Sequence, residues 1–196
     1  LGLVGSEMCI RDSVGKFSDP DTPSAVRMST TKGNVDVILY STLTPLTTAN
    51  FLGYITRGDY NNGVFNRIST LADSGVAVLQ GGQLKVGSAP IGFTSITTQA
   101  AILNEAGISN VPYTIAMAKQ GGNPNSATSQ FYFNLDPANT TLDSAAQNGG
   151  FTVFGRVSLP TRTTIDALKG FPGGTGNPAR TITIRSPSTA MLPLYP

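Results

Sequence analysis

Short stretches in which apolar and polar residues alternate, each cut off by a turn signal, recur along the whole chain. From Ala25 to Tyr40, AVRMSTTKGNVDVILY reads as two strands around Thr31-Lys32-Gly33-Asn34, with Val35, Val37 and Leu39 sharing one face. A period of two cannot sit on one face of a helix, so a chain built this way must place its apolar residues on sheets. Further strands are expected at Val64–Ile68, Val76–Gln80, Tyr113–Ala118, Gln130–Leu135, Phe151–Val157 and Arg180–Ile184. Two segments break the pattern. Thr44-Pro45 supplies an N-cap followed by proline at the first helical position, and Leu46, Ala49, Leu52 and Ile55 fall at helical spacing before Arg57-Gly58. A second helix is expected from Thr161 to Lys169, stopped by Gly170. Eight strands and two helices imply a mainly β fold, a closed antiparallel barrel capped by helices, because closure removes the edges an open sheet would expose.

At 196 residues the chain suits one domain. The abundance of Gly (22) and Pro (13) fits many tight turns. What is absent narrows the chemistry further. There is no His, which excludes Ser-His-Asp and Cys-His catalysis, a His general base and His-ligated zinc. Cys9 is the only cysteine, so neither an intrachain disulfide nor a thiolate cluster can form. Any reaction must use arginine, carboxylates, amides, hydroxyls and shape. The net charge of +2 is scattered and marks no nucleic-acid surface. No apolar run approaches the ~20 residues needed to cross a bilayer.

The first residues, 1–13 (LGLVGSEMCIRDS), differ from the rest and resemble translated adapter sequence; a frayed native terminus is the alternative, and neither gives them a role. Residues 14–24 read as a flexible lead, 25–186 as the folded domain and 187–196 as an irregular Pro-rich tail.

From Gly121 to Leu135, GGNPNSATSQFYFNL passes abruptly from small turn formers to a strand carrying aromatics on both faces. On that strand Gln130 and Tyr132 point one way while Phe131, Phe133 and Leu135 point the other, so one set can fill a core and the other can line a groove. This stretch, with TPLTTANFLGYITRGDYNNGVFNRI, LQGG, NEAGISNVPYTIAMA and NGGFTVFGRV in that order, resembles the cyclophilin-type peptidyl-prolyl cis-trans isomerases, most closely the bacterial branch. The resemblance spans roughly Val26 to Ser186. It implies a barrel with a substrate groove on its outer surface and a reaction, rotation about Xaa-Pro bonds, that requires no His, metal or cofactor.

Position by position, the resemblance makes Arg67 the catalytic arginine, with Gln80 and Gln130 orienting it and the substrate backbone. Ala118 matches a backbone-contact position, and Tyr132, Leu142 and Val78 match walls of the proline pocket. Four positions depart from the commonest pattern. Ala77 stands where a large aromatic usually forms part of the pocket, and the segment from Arg67 to Gln80 is longer than usual. Thr141 stands where many members carry Trp, Phe151 where eukaryotic members carry His, and Lys119 where an Asn often contacts substrate backbone. Each residue also has a plainer reading: Arg67 as a surface ion pair, Tyr132 and Leu142 as packing, Gln130 as a solvated amide, NPNSATS as a turn.

The resemblance thus implies an isomerase acting on proline-containing polypeptides, with cyclosporin-type ligands as further candidates and a monomer as the working form. The altered pocket leaves open a non-catalytic proline-peptide-binding module or chaperone. The bacterial branch suggests an exported, periplasmic protein, with the cytoplasm as the alternative.

Overall fold

The computed structural model describes residues 24–87, 92–170 and 181–185, the last as strand backbone. The expected segments 1–13 and 187–196 lie outside the described residues, as does the lead apart from Ser24.

Strands β1 (Ala25–Thr30) and β2 (Gly33–Leu39) form the expected hairpin, with Thr30 opposite Gly33. Helix α1 (Pro45–Thr56) follows, then β3 (Gly63–Ser69), a one-turn helix α2 (Leu71–Ser74), β4 (Val78–Val86) and β5 (Phe93–Ser95). Strands β6 (Thr114–Met117) and β7 (Phe131–Asn134) lead to a 3-10 segment, Pro137–Asp143. The chain then runs through β8 (Val153–Val157), α3 (Arg162–Lys169) and β9 (Thr181–Arg185).

All strand pairs are antiparallel, in the order β3-β9-β1-β2-β8-β6-β7-β4-β5, with β3 also paired to β4. The fold is mainly β and curled, but the closed barrel expected from the sequence needs correction. Its ends meet between β3 and β9 over only Gly63–Ile182 and Val64–Thr181. The β3–β4 ladder is itself broken by register shifts on either side of Phe65. The result is a curled half-barrel with a thin seam. β5, absent from the expected set, extends β4 along Leu84–Val86.

The interior is an aromatic lattice. Phe51 of α1 packs against Tyr60, Phe131 and Phe154, and Phe65 and Phe133 close the group at ring separations of 6.2 to 6.5 Å. Phe131 and Phe133 are fully buried, as the alternation of β7 requires.

Helix α1 begins at the expected proline but buries a different stripe. Thr47, Thr48, Phe51, Tyr54 and Ile55 face inward, whereas Leu46 and Ala49 are exposed. The reason lies outside the helix. Thr44 occupies the N-cap position without capping, its hydroxyl donating instead to the Tyr40 carbonyl. The Glu105 carboxylate takes over, accepting from the Leu46 and Thr47 amides and from the Thr47 hydroxyl at 2.7 to 3.1 Å. A carboxylate there satisfies the free N–H groups and the positive end of the helix dipole, and it turns the Thr47 face inward.

Candidate functional site

Sheet register places the candidate residues. Arg67 lies opposite Gln80, Gln80 opposite Tyr132, Tyr132 opposite Ala116, and Ala116 opposite Val153, so one cross-strand row runs over β3, β4, β7, β6 and β8. Directly opposed residues share a face of a sheet. The face is the outer one, because the neighbouring row of Leu79, Phe133 and Ile115 is sealed in the interior. At one end of the row stands a charge and at the other an apolar patch.

At the charged end Arg67 is exposed but doubly held. Its Nη1 donates to Gln80 Oε1 at 3.3 Å and its Nη2 to Ser74 Oγ at 3.2 Å. Gln80 Nε2 in turn donates to Gln130 Oε1 at 2.9 Å, which leaves the Gln80 oxygen to accept from the guanidinium. These bonds use two of the five guanidinium N–H groups, and the other three have no hydrogen-bond acceptor among the described residues. Glycine is required just beyond: Gly82 has φ +83°, and a Cβ there would fall 2.3 Å from the Ser129 carbonyl oxygen. That close approach brings β4 against the chain leading into Gln130.

At the apolar end Val78, Ala116, Tyr132, Leu142 and Val153 form a cluster apart from the interior core, with Val76, Ala118 and Phe151 packed on it. Phe151 meets Tyr132 edge to face at 6.1 Å. The Tyr132 hydroxyl is buried and donates to Asn110 Oδ1 at 3.0 Å, and burial pushes its pKa well up, so it stays protonated. Asn110 is the hub of this support. Its amide nitrogen donates to Asp143 Oδ1 and the Phe151 carbonyl, its oxygen also accepts from Asn134 Nδ2, and Asn139 Nδ2 donates onward to Asn134 Oδ1. Burial alone would raise the Asp143 pKa, but hydrogen bonds from the Ser109 hydroxyl and from Asn110 outweigh it and hold the carboxyl below the usual range.

The remaining candidates divide. The Ala118 amide donates to the Gln130 carbonyl, tying β6 to the start of β7. Lys119 is occupied by its own chain: its ammonium donates to the carbonyls of Asn148 and Gly150 and sits 4.7 Å over the Phe151 ring, and desolvation lowers its pKa. It thus pins the Phe151 loop. Thr141 is exposed on the 3-10 segment beside Leu142. Ala77 does not join the outer cluster. Strand alternation turns it into the interior, where its backbone exchanges hydrogen bonds with the Asn139 amide group at 2.7 and 2.9 Å. Ala77 also lines a pocket of about 280 Å³ that opens to the surface among Thr70, Leu71, Ala72, Asp136 and Lys169. On the outer face beside it, Val78 belongs to the apolar cluster and Val76 packs against that cluster.

Over residues 25–189 the chain matches the family described as cyclophilin-type peptidyl-prolyl cis-trans isomerases. The chain belongs to this family. The peptidyl-prolyl cis-trans isomerase cyp18 of Streptomyces antibioticus is 36% identical over 159 residues, covering 77% of this chain and 86% of that protein. The peptidyl-prolyl cis-trans isomerase of Acinetobacter baylyi is 34% identical over 134 residues, or 67% of this chain and 65% of that one. The fold is shared with a Cryptosporidium parvum cyclophilin (TM-score 0.62, 21% identity, 84% of this chain and 95% of that chain). The same protein in the presence of the dipeptide Ala-Pro gives a TM-score of 0.60 at 21% identity, over 83% of this chain and 96% of that chain.

Three residues of the candidate site were not singled out from the sequence. Ser74 ends α2, between Arg67 and Gln80, and its signal was there to read: Thr70 and Asp73 form a capping box and Gly75 a left-handed C-cap. Asn110 and Asp143 carry no local signal, since they meet across 33 residues only once β6, β7 and the 3-10 segment are assembled.

Proposed function

We propose that the chain catalyses cis-trans isomerisation of Xaa-Pro bonds in polypeptides, with Arg67 as the electrophile. The amide barrier is ~18 to 20 kcal/mol and uncatalysed exchange takes tens to hundreds of seconds. No covalent bond changes. In the twisted state the prolyl nitrogen pyramidalises and regains a lone pair, so a fixed cationic donor beside it stabilises that state more than the planar one. The observation that carries this reading is the row that sets a guanidinium, anchored through Gln80, next to the outer apolar cluster. The ring would lie on Tyr132, Leu142, Val78 and Phe151, and Gln130 and the Ala118 backbone would meet the peptide. The buried Asn110 hydrogen bond fixes Tyr132, so the pocket wall is rigid before substrate arrives.

Ala-Pro is the natural first probe, given the related structure obtained in its presence. Wild type is expected to accelerate exchange of an Ala-Pro peptide at substoichiometric concentration, followed by NMR exchange spectroscopy. Arg67→Ala is expected to lose at least about one decade, the worth of a charge-assisted hydrogen bond. Resonances that shift on titration without any change in rate would replace the enzyme with a binding module. Cyclosporin-type ligands in the same groove, a monomeric working form and an exported location complete the proposal. Competition with exchange, sedimentation and cell fractionation test these in turn.

A further inference from the structure

We propose that Ser74, on the extra turn between β3 and β4, is a positioning residue for Arg67. The inference rests on the reading that Arg67 is the electrophile. A guanidinium acts as a directed donor only if its plane is fixed, and a contact at one nitrogen leaves it free to swing on a flexible stem. Here both terminal nitrogens have an acceptor, and each acceptor is made so by a commitment elsewhere. The Gln80 amide nitrogen is spent on Gln130, which turns its oxygen toward Nη1. The Ser74 proton is spent on the Val76 carbonyl at 3.1 Å, which leaves its oxygen lone pairs toward Nη2. The two acceptors come from different elements, Gln80 from β4 and Ser74 from α2.

Although Ser74 is exposed, its backbone is not loose. The Thr70 hydroxyl and Asp73 carboxylate close the N-terminus of α2 on each other's backbone amides, and the Thr70 hydroxyl also donates to Asp73. At the other end Gly75, at φ +72°, returns its amide to the Leu71 carbonyl. Ser69 donates to the same Val76 carbonyl at 2.9 Å and so fixes the acceptor that orients Ser74. The turn between Arg67 and Gln80 therefore delivers a second acceptor to the arginine and leaves its remaining N–H groups to the substrate.

The test compares wild type, Ser74→Ala, Ser74→Thr and Arg67→Ala in exchange spectroscopy over a range of Ala-Pro peptide concentrations, with 15N spectra of the arginine side chains. Ser74→Ala is expected to lower kcat about fivefold with KM and Tm unchanged, and to speed rotation of the Arg67 guanidinium until its Nη signals average. Ser74→Thr, which keeps the hydroxyl, is expected to restore most of both. Wild-type kcat and unchanged Nη signals in Ser74→Ala would overturn the inference while leaving Arg67 in place. Equal losses in Ser74→Ala and Ser74→Thr with a lowered Tm would overturn it in favour of a purely structural turn. An Arg67→Ala protein as active as wild type would overturn both readings.

Discussion

A methyl group at Gly82 would meet the Ser129 carbonyl oxygen at 2.3 Å and the Gln130 Cα at 3.1 Å, on a backbone already at φ +83°. Neither obstacle is a side-chain end that could move aside, and the Ser129 carbonyl is itself held by the Tyr60 hydroxyl at 2.7 Å. The left-handed conformation alone costs a non-glycine residue ~1 to 2 kcal/mol, so Gly82→Ala is expected to lose more than that in urea unfolding. It should lower isomerase activity in the surviving folded fraction too, because Gln130 would be pushed from Gln80. Full retention of stability would mean that β4 and β7 can separate there without penalty. The Gly-Gly pair was legible as a motif, and so were Arg67, Gln80 and Gln130. The reason for the glycine was not, because the obstructing carbonyl comes from far along the chain. Ser74 and Ala77 mark the same limit: register and an inserted turn, rather than residue type, decided that one faces the arginine and the other the interior.

At the scale of elements, period and partner compete. The strands were readable because side chains alternate between the two faces, and β7 sends Phe131 and Phe133 to the interior core and Tyr132 to the outer cluster. Helix α1 was found in place but misphased, since the Leu46 stripe has the right spacing and the Thr47 stripe has the Glu105 carboxylate and the larger aromatics. The 3-10 segment Pro137–Asp143 was not readable at all. It is capped by the Asp136 carboxylate at one end and tied at the other by Asp143 to Ser109 and Asn110. That tie makes a pH prediction. The Asp143 carboxyl titrates lower in the folded state than in the unfolded chain, so its stabilising contribution is present above the unfolded value of about 3.9 and is lost as pH falls through the folded value. The Tm difference between wild type and Asp143→Asn should therefore be largest near neutrality and shrink steadily below that unfolded value. Because Asp143 is an exposed residue, the difference should be modest. A difference independent of pH would mean that the hydrogen-bond geometry, and not the charge, holds the segment.

Across the whole molecule, the sequence implied a ring because strands this numerous should not leave edges, and the pairings show where that reasoning weakens. Edges need covering, but the covering need not be uniform. β1 and β2 share six residue pairs and β1 and β9 share four, whereas β9 and β3 share only two. Local opening should begin where the ladder is shortest. In native-state hydrogen exchange, amides of the β3–β9 ladder are expected to exchange through low-energy local openings, while those of β6 and β7, buried on both faces, exchange only on global unfolding. Exchange of the seam as slow as that of Phe133 would show a ring sealed all the way round. The position of the seam also bears on function. It holds Gly63 and Val64 at the start of β3, whereas Arg67, Ile68 and Ser69 at the other end remain paired to Gln80, Leu79 and Val78. The register shifts around Phe65 separate the two halves of the strand. Fraying of the seam should therefore leave the arginine where it is, and isomerase activity should persist under mild denaturant that already accelerates exchange at Val64.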